Sequence, residues 1–384
     1  MAVADGRVFF FDRHEGEARL RALNPHTGAP LWKSEYPYSY EDHFGYSDGP
    51  RATPTFIPAR TAAETDLVVT FGVDGTLSGH RAADGEVAWR IDTAARYGVV
   101  QNFFGVGSTP WLEPAVDGQP ERLIVMVGGS PEKTPDLFSG KTRPNGTSVV
   151  AIDPRTGRQL WSGGDRLASY SSPIVAEIAG KRRGLAFVRE GLTVFDPETG
   201  DEQLFVPHRA KKLYSVNAAT PIVDGNHVLI TESYERGALQ LQLSVRDGGE
   251  LSHTVVWQDP PRRGQSLASH WSTPILHQGV LYGCHGESSG NAELRAVDWG
   301  SGEVLWRHKG LLRSTLLWAD DHLFVLGERG VLTLVEATGD AYRPKGQIDL
   351  GLTFPSWNPP VLSDGVLYVR GAGELVALRV IPDN

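Results

Sequence analysis

The sequence predicts an all-β chain folded as an eight-bladed β-propeller of four-stranded antiparallel blades, and three observations carry that prediction. An anchor of the form small–polar–Pro–apolar–apolar recurs along the 384 residues. A Thr-Gly or Asp-Gly turn recurs in step with it, with a tryptophan four residues beyond the glycine. Between these signals lie short alternating apolar stretches with no helical period.

The anchors stand in "ATPTF" at Pro54, "STPWL" at Pro110, "SSPIV" at Pro173, "ATPIV" at Pro221, "STPIL" at Pro274 and "NPPVL" at Pro360. "STLLW" repeats the anchor with Leu316 in the proline position, and aligning "MAVADGRVFF" with "PVLSDGVLYV" puts Met1 on the position of Pro360. Eight anchors imply eight repeat units in one domain spanning residues 1–384. The turn signal appears in "ALNPHTGAPLW", "AIDPRTGRQLW" and "AVDWGSGEVLW", giving the pairs Gly28/Trp32, Gly157/Trp161 and Gly302/Trp306. Gly85/Trp89 is a further copy, with weaker forms at Gly200/Leu204 and around Trp257. Glycine supplies the positive φ of a tight hairpin, and period-2 alternation marks a strand with one buried face. Each unit therefore reads as four strands, A to D. The tryptophan of strand D reads as a peg docked on the neighbouring blade, its large apolar ring buried and its indole N–H satisfied locally.

The chain begins on strand A of the first blade and reaches "ELVALRV", strand C of the last, so the final blade is expected to be incomplete. An unpaired strand edge invites aggregation. The expectation is an upstream segment that supplies the missing strand, preceded by a secretion signal. Met1 itself is followed by "AVADGRVFF", which has neither the basic nor the apolar region of a signal peptide.

A formal charge of −9 gives no overall attraction to nucleic acid or anionic lipid, and the basic runs at Lys181-Arg182-Arg183 and Lys211-Lys212 read as solvated turns. Cys284 is the single cysteine, which rules out an intrachain disulfide and a Cys-x-x-Cys metal knuckle. No apolar run approaches the length of a transmembrane segment. Nothing in the sequence indicates an oligomer, and a monomer is expected.

In a propeller the residues at and just before each anchor ring the channel mouth. The candidates are Tyr40, Glu41, His43 and Arg51 before Pro54, then Asn102, Phe103 and Phe104 before Pro110. Tyr170 and Ser171 precede Pro173, Tyr214 and Asn217 precede Pro221, and His270 and Trp271 precede Pro274. Arg313 and the pair Trp357 and Asn358 complete the set. Aromatic walls with a few directed polar groups suit a planar, anionic small molecule. Glu41 and Asn217 could each offer an oxygen to calcium, though no metal site is assigned, since calcium takes six to eight oxygens. Cys284-His285 sits in a strand where adjacent side chains point to opposite faces, and it reads as core. His253, His277 and His322 lack ligand spacing. Asn145-Gly146-Thr147 forms a glycosylation pattern in the long insertion before Pro173.

The turn motif resembles the repeat of the PQQ-like, or quinoprotein dehydrogenase-like, propeller family, with its A-x-D-x-x-T-G-x-x-x-W consensus. Ala151, Asp153, Thr156, Gly157 and Trp161 match it, as do Ala22, Thr27, Gly28 and Trp32 with Asn24 in the aspartate position. The chain is most similar to the stand-alone, eight-bladed bacterial members. That resemblance implies a periplasmic or secreted protein. The family's dehydrogenases hold PQQ over calcium with Glu, Asn and Asp, use an Asp base, and many carry an adjacent Cys-Cys disulfide. A single cysteine excludes that disulfide, and no Asp stands at a channel position to serve as base. The expected function is therefore a binding or scaffold propeller without a cofactor, similar to the assembly-factor branch, holding a protein partner or a small-molecule or carbohydrate ligand at channel or rim. The alternatives are a PQQ-dependent alcohol or sugar dehydrogenase using PQQ with calcium, and a carbohydrate-active hydrolase or lyase using Glu41, His43 or His270.

Overall fold

The computed structural model describes residues 1–42, 44–99, 103–116, 118–131, 142–212 and 215–381. His43, Asn102 and Tyr214 therefore lie outside the described residues. The strands form eight antiparallel sheets in chain order, at 2–37, 55–92, 111–163, 174–207, 222–258, 275–309, 314–349 and 361–379. Seven are four-stranded meanders. The eighth has three strands, Val361–Ser363, Val366–Arg370 and Leu375–Arg379. The fold is thus an eight-bladed propeller with a last blade lacking its fourth strand. The one helix among the described residues, Thr93–Tyr97, is capped by the Asp92 side chain and closed by Gly98. No helix among the described residues is long and apolar enough to cross a membrane.

Backbone contacts divide the chain into two compact units, Met1–Pro207 and His208–Asn384, with four blades in each. Within the first unit, strand Ala2–Ala4 touches Thr55–Ile57, which touches Trp111–Glu113, which touches Ile174–Ile178. In the second, Ile275–His277 touches Ser314–Ala319. These contacts explain the hydroxyl that precedes five of the six anchor prolines, all but Pro360. The Thr53 N–H donates to Thr109 Oγ1 at 2.9 Å, the Thr109 N–H to Ser172 Oγ at 3.0 Å, and the Thr220 N–H to Thr273 Oγ1 at 3.0 Å. Proline cannot donate, so the residue before it supplies both the donor and the acceptor that link one first strand to the next.

The hydrophobic cores lie between blades. Strand Arg122–Met126 is buried throughout. Leu123 and Val125 pack with Ile57, Leu67 and Val69 of the preceding blade, while Ile124 and Met126 pack with Val175, Ala186 and Val188 of the following one. The second and third strands of a blade thus bury both faces, where the sequence pattern suggested one. The run Lys181-Arg182-Arg183 also departs from the solvated turn expected of it. It opens strand Lys181–Val188, with Arg182 bonded to Glu113 at 2.7 Å and Arg183 buried against the Ile178 carbonyl.

Four tryptophan pegs share one hydrogen bond, which the buried Trp161 indole N–H lacks among the described residues. Trp32, Trp89, Trp257 and Trp306 donate their indole N–H to the carbonyls of Ala82, Pro154, Trp299 and Thr338, each in the turn of the next blade, at 2.8–3.0 Å. The rings of Trp32, Trp89, Trp161 and Trp257 lie on glycine: a Cβ at Gly85, Gly157, Gly200 or Gly302 would meet the preceding blade's tryptophan at 2.5–2.9 Å. The alanine of the motif has its own reason, since Ala22, Ala151 and Ala296 pair directly with Trp32, Trp161 and Trp306 across a bulge. Gly28 is a useful contrast. Its φ of +68° matches the +78° of Gly85, yet a Cβ there meets nothing within 4 Å. Gly28→Ala should cost about 1 kcal/mol through backbone strain alone, and Gly85→Ala about 1–3 kcal/mol more because the ring must move. Urea unfolding of the two variants measures the difference; equal losses would show that the ring contact contributes nothing.

Candidate functional site

The four strands of a blade alternate in direction, so the segments before the anchors and the turns between second and third strands share one edge. Two side-chain clusters occupy this edge, one in each unit. In the first unit, Arg51 is the centre. Its Nε donates to the Phe104 carbonyl at 2.6 Å, and its terminal nitrogen reaches Asp42 at 3.2 Å and the Ser47 carbonyl at 2.9 Å. The guanidinium lies 5.6 Å from the Phe104 ring centroid and 6.0 Å from that of Tyr40. Tyr170 accepts the Phe104 N–H at 3.0 Å with its ring 5.6 Å from the Phe104 ring. Burial raises the pKa of both Tyr40 and Tyr170, so both hydroxyls stay protonated.

Asp42 holds the loop. Its side chain is fully buried and accepts the N–H groups of Phe44, Tyr46 and Ser47 at 2.9, 3.2 and 3.1 Å, besides pairing with Arg51. Its own N–H donates to Asp48 at 2.7 Å. A carboxylate saturated by backbone donors and a guanidinium fixes the loop conformation. The loop nevertheless displays Phe44 and Tyr46 with 51% and 42% of their surface exposed. Glu41, the candidate carboxylate, is exposed beside this hub.

In the second unit, Arg313 binds Glu328 through Nε at 2.8 Å and a terminal nitrogen at 2.7 Å. Glu328 also accepts the Trp357 indole N–H at 3.2 Å and the Ser289 hydroxyl at 2.5 Å. The Arg313 guanidinium lies 4.7 Å from the Trp271 centroid and 5.1 Å from that of Trp357, and the two indoles are 4.9 Å apart. His270 stands against Trp271, and its Nε2 is 2.6 Å from the Tyr234 hydroxyl. Burial and the Arg313 charge push the His270 pKa down to about 4, so the ring is neutral. The Tyr234 O–H then donates to Nε2 and the proton sits on Nδ1, which, like the Trp271 indole N–H, has no hydrogen-bond partner among the described residues. Burial alone would raise the Glu328 pKa; hydrogen bonds from Arg313 and Ser289, the Arg313 charge and the Trp357 indole outweigh it and hold the group below the ordinary carboxylate range.

The structure thus brings together Tyr40, Arg51, Phe103, Phe104 and Tyr170 in one cluster and His270, Trp271, Arg313 and Trp357 in the other. Ser171 and Asn217 are buried, and the Asn358 carbonyl accepts the Thr315 hydroxyl at 3.2 Å. The residues missed by sequence reasoning, Tyr234, Ser289 and Glu328, all come from turns between second and third strands, which reach the same edge as the anchors. Cys284 is core, accepting the Ser314 N–H.

Glu41 is exposed, and among the described residues no group of three or more His, Cys, Asp or Glu could hold a metal.

The repeated four-stranded blades with tryptophan pegs on Thr-Gly turns define a PQQ-like repeat propeller. A family model described as outer membrane protein assembly factor BamB matches residues 16–283, and the chain belongs to that family. No curated protein sequence matches it. Similar solved structures include BamB from Moraxella catarrhalis, at 12% identity over 98% of this chain and 92% of that one with a TM-score of 0.60. The computationally designed Ika8 protein follows at 10% identity, 98% and 97% coverage and 0.57. The dihydro-heme d1 dehydrogenase NirN in complex with DHE is similar at 12% identity, 99% and 72% coverage and 0.58. At these identities the likeness is one of fold.

Two outcomes follow from the electrostatics. Arg313→Ala leaves Glu328 charged and buried without its cation, and should cost about 3–5 kcal/mol at pH 7. Because the depressed pKa of Glu328 contributes stability present above the unfolded value and lost as pH falls, the gap to wild type should narrow towards pH 4; a gap constant with pH in urea titrations would contradict this. Glu232 has the opposite sign. Burial raises its pKa to about 7, against partial compensation from hydrogen bonding, as by the Ala210 N–H at 2.9 Å. Its contribution is fully present below the unfolded value near 4.5 and is lost as pH rises through 7, a slope worth on the order of 3 kcal/mol that Glu232→Gln should abolish.

Proposed function

We propose that the protein is a periplasmic or secreted, monomeric binding propeller that holds a partner protein of outer-membrane assembly on the loop pinned by Asp42. The observation that carries this reading is the exposure of Phe44 and Tyr46 on a loop whose conformation is fixed by a buried carboxylate. Exposed aromatics on a mobile loop would collapse onto the surface; here the hydrogen bonds of Asp42 hold them outward. Exposed apolar patches rimmed by polar groups mark interaction sites, and rigid aromatic anchors beside an arginine carry most of the energy of many interfaces. Membership of a family described as an assembly factor supports a protein as the occupant. The unmatched donors of His270 and Trp271 beside Arg313 favour a second reading, an acidic planar ligand such as PQQ at the other cluster.

The test is capture of partners from detergent-solubilised envelopes with tagged wild-type chain, followed by titration of the purified partner. The Phe44→Ala/Tyr46→Ala double variant should melt as wild type does and bind at least about 30-fold more weakly, the loss of a hot spot of about 2 kcal/mol. Unchanged affinity would remove the loop from the interface. Calorimetric titration with PQQ, with and without calcium, separates the second reading. Calcium-dependent micromolar binding that Trp271→Ala abolishes would put the dehydrogenase reading first.

A further inference from the structure

The edge opposite the anchors carries a cleft between the second and third blades, with a volume of about 650 Å³, in the range of small-molecule sites. It exists because the chain departs from its repeat there. Six blades join their first two strands through two-residue hairpins, whereas the second and third use residues 58–66 and 114–121. Arg155 locks both loops in place. Its Nε binds Glu121 at 2.7 Å, and its terminal nitrogens bond the Thr65 carbonyl at 2.8 Å and the Pro58 carbonyl. Glu121 is nearly buried and also faces Arg60 at 3.4 Å. Arg60 is further paired with Glu64, and Arg81 with Asp84 and Glu86.

These pairs neutralise three of the four guanidinium groups in the walls. The fourth, Arg158, is exposed in the cleft and forms no ion pair among the described residues. Asp153 is its neighbour across the base of the turn, linked through the backbone by an Asp153 N–H to Arg158 carbonyl bond of 2.8 Å. The Asp153 carboxylate takes the Arg155 N–H on one oxygen and forms no ion pair either. Arg158 and Asp153, neither in an ion pair among the described residues although the Asp153 charge is felt by Arg60, therefore both line the cleft, next to an aliphatic wall of Leu67, Val87 and Leu160, with Val87 38% exposed.

We propose that this cleft binds a small zwitterion, an ammonium and a carboxylate on an aliphatic body, as in a free amino acid or a dipeptide. Arg158 takes the carboxylate, Asp153 the ammonium, and Val87 and Leu160 the aliphatic side chain. A purely anionic ligand would meet Asp153 and Glu86, and a purely cationic one Arg158, so the wall selects against both.

Calorimetry on the full chain tests this with L-leucine and L-leucyl-L-leucine, against leucinamide, which lacks the carboxylate, and N-acetyl-leucine, which lacks the ammonium. Either zwitterion should bind, with the amino acid and dipeptide arms distinguishing the two lengths. Each blocked analogue should bind at least tenfold more weakly, and Arg158→Gln should weaken the zwitterion at least tenfold without shifting the melting temperature. Val87→Glu, which alters only the exposed wall, should do the same and serves if Arg158→Gln is poorly folded. Absence of heat at millimolar ligand, equal binding of the blocked analogues, or wild-type affinity in both variants would overturn the proposal.

Discussion

Everything else in this chain rests on a tryptophan ring laid on a glycine of the next blade. The contact asks for three things at once: a glycine with positive φ to turn the hairpin, no Cβ beneath the ring, and a free carbonyl in the same turn for the indole N–H. The turn "DPRTG" provides all three, which is why the motif recurs with its spacing intact. Because the ring joins successive blades, each repeat is completed only by its neighbour, and the cores lie between sheets. The threonine and serine hydroxyls before the anchor prolines do the same work at the first strands, linking consecutive blades by a side chain where proline has removed the backbone donor.

A frame held this way leaves one edge of each blade free to vary, and both clusters at that edge are built on the same plan. A fully buried carboxylate, Asp42 with donors from its own loop or Glu328 with donors from separate segments, pairs with an arginine whose guanidinium lies against aromatic rings. Burying a carboxylate is costly unless its oxygens are filled. Here each is filled by three or more donors, so the cost becomes a means of fixing the surrounding loops. The first loop displays Phe44 and Tyr46, whereas in the second cluster the His270 and Trp271 donors are buried without a partner among the described residues.

The fold was legible in the sequence because its determinants are local and repeated: Gly157 to Trp161 is four residues, and the anchor is five. The short last blade was legible for the same reason. The sites were legible only by half. Segments before the anchors could be placed at one edge of each blade from strand direction, and Arg51, Phe104 and Tyr170 meet in the first unit as Trp271, Arg313 and Trp357 do in the second. The carboxylates that organise them were not found. Glu328 belongs to a turn fifteen residues beyond Arg313 that returns to the edge only in three dimensions. Asp42 sits beside the more conspicuous Glu41, and nothing in residue type separates a carboxylate buried under backbone donors from one in solvent. Strand patterning misled in one respect, since a strand packed by blades on both sides has no polar face to alternate with.

The same reasoning separates residues that maintain the repeat from residues that use it. At the position of Arg155 the other turns carry His26, Glu198 or Gly300, so the repeat does not require an arginine there. Its guanidinium instead spans from the third blade to the two loops that break the repeat, and it spends its donors on Glu121, Thr65 and Pro58. A side chain so fully committed to shaping irregular loops would be superfluous if the loops had no role, because a two-residue hairpin closes the same strands in the other blades. Where a repeat protein departs from its minimum and then stabilises the departure with a buried charge network, the departure itself is the feature being kept. In this chain that holds twice, at the Asp42 loop on one edge and at the Arg155 loops on the other.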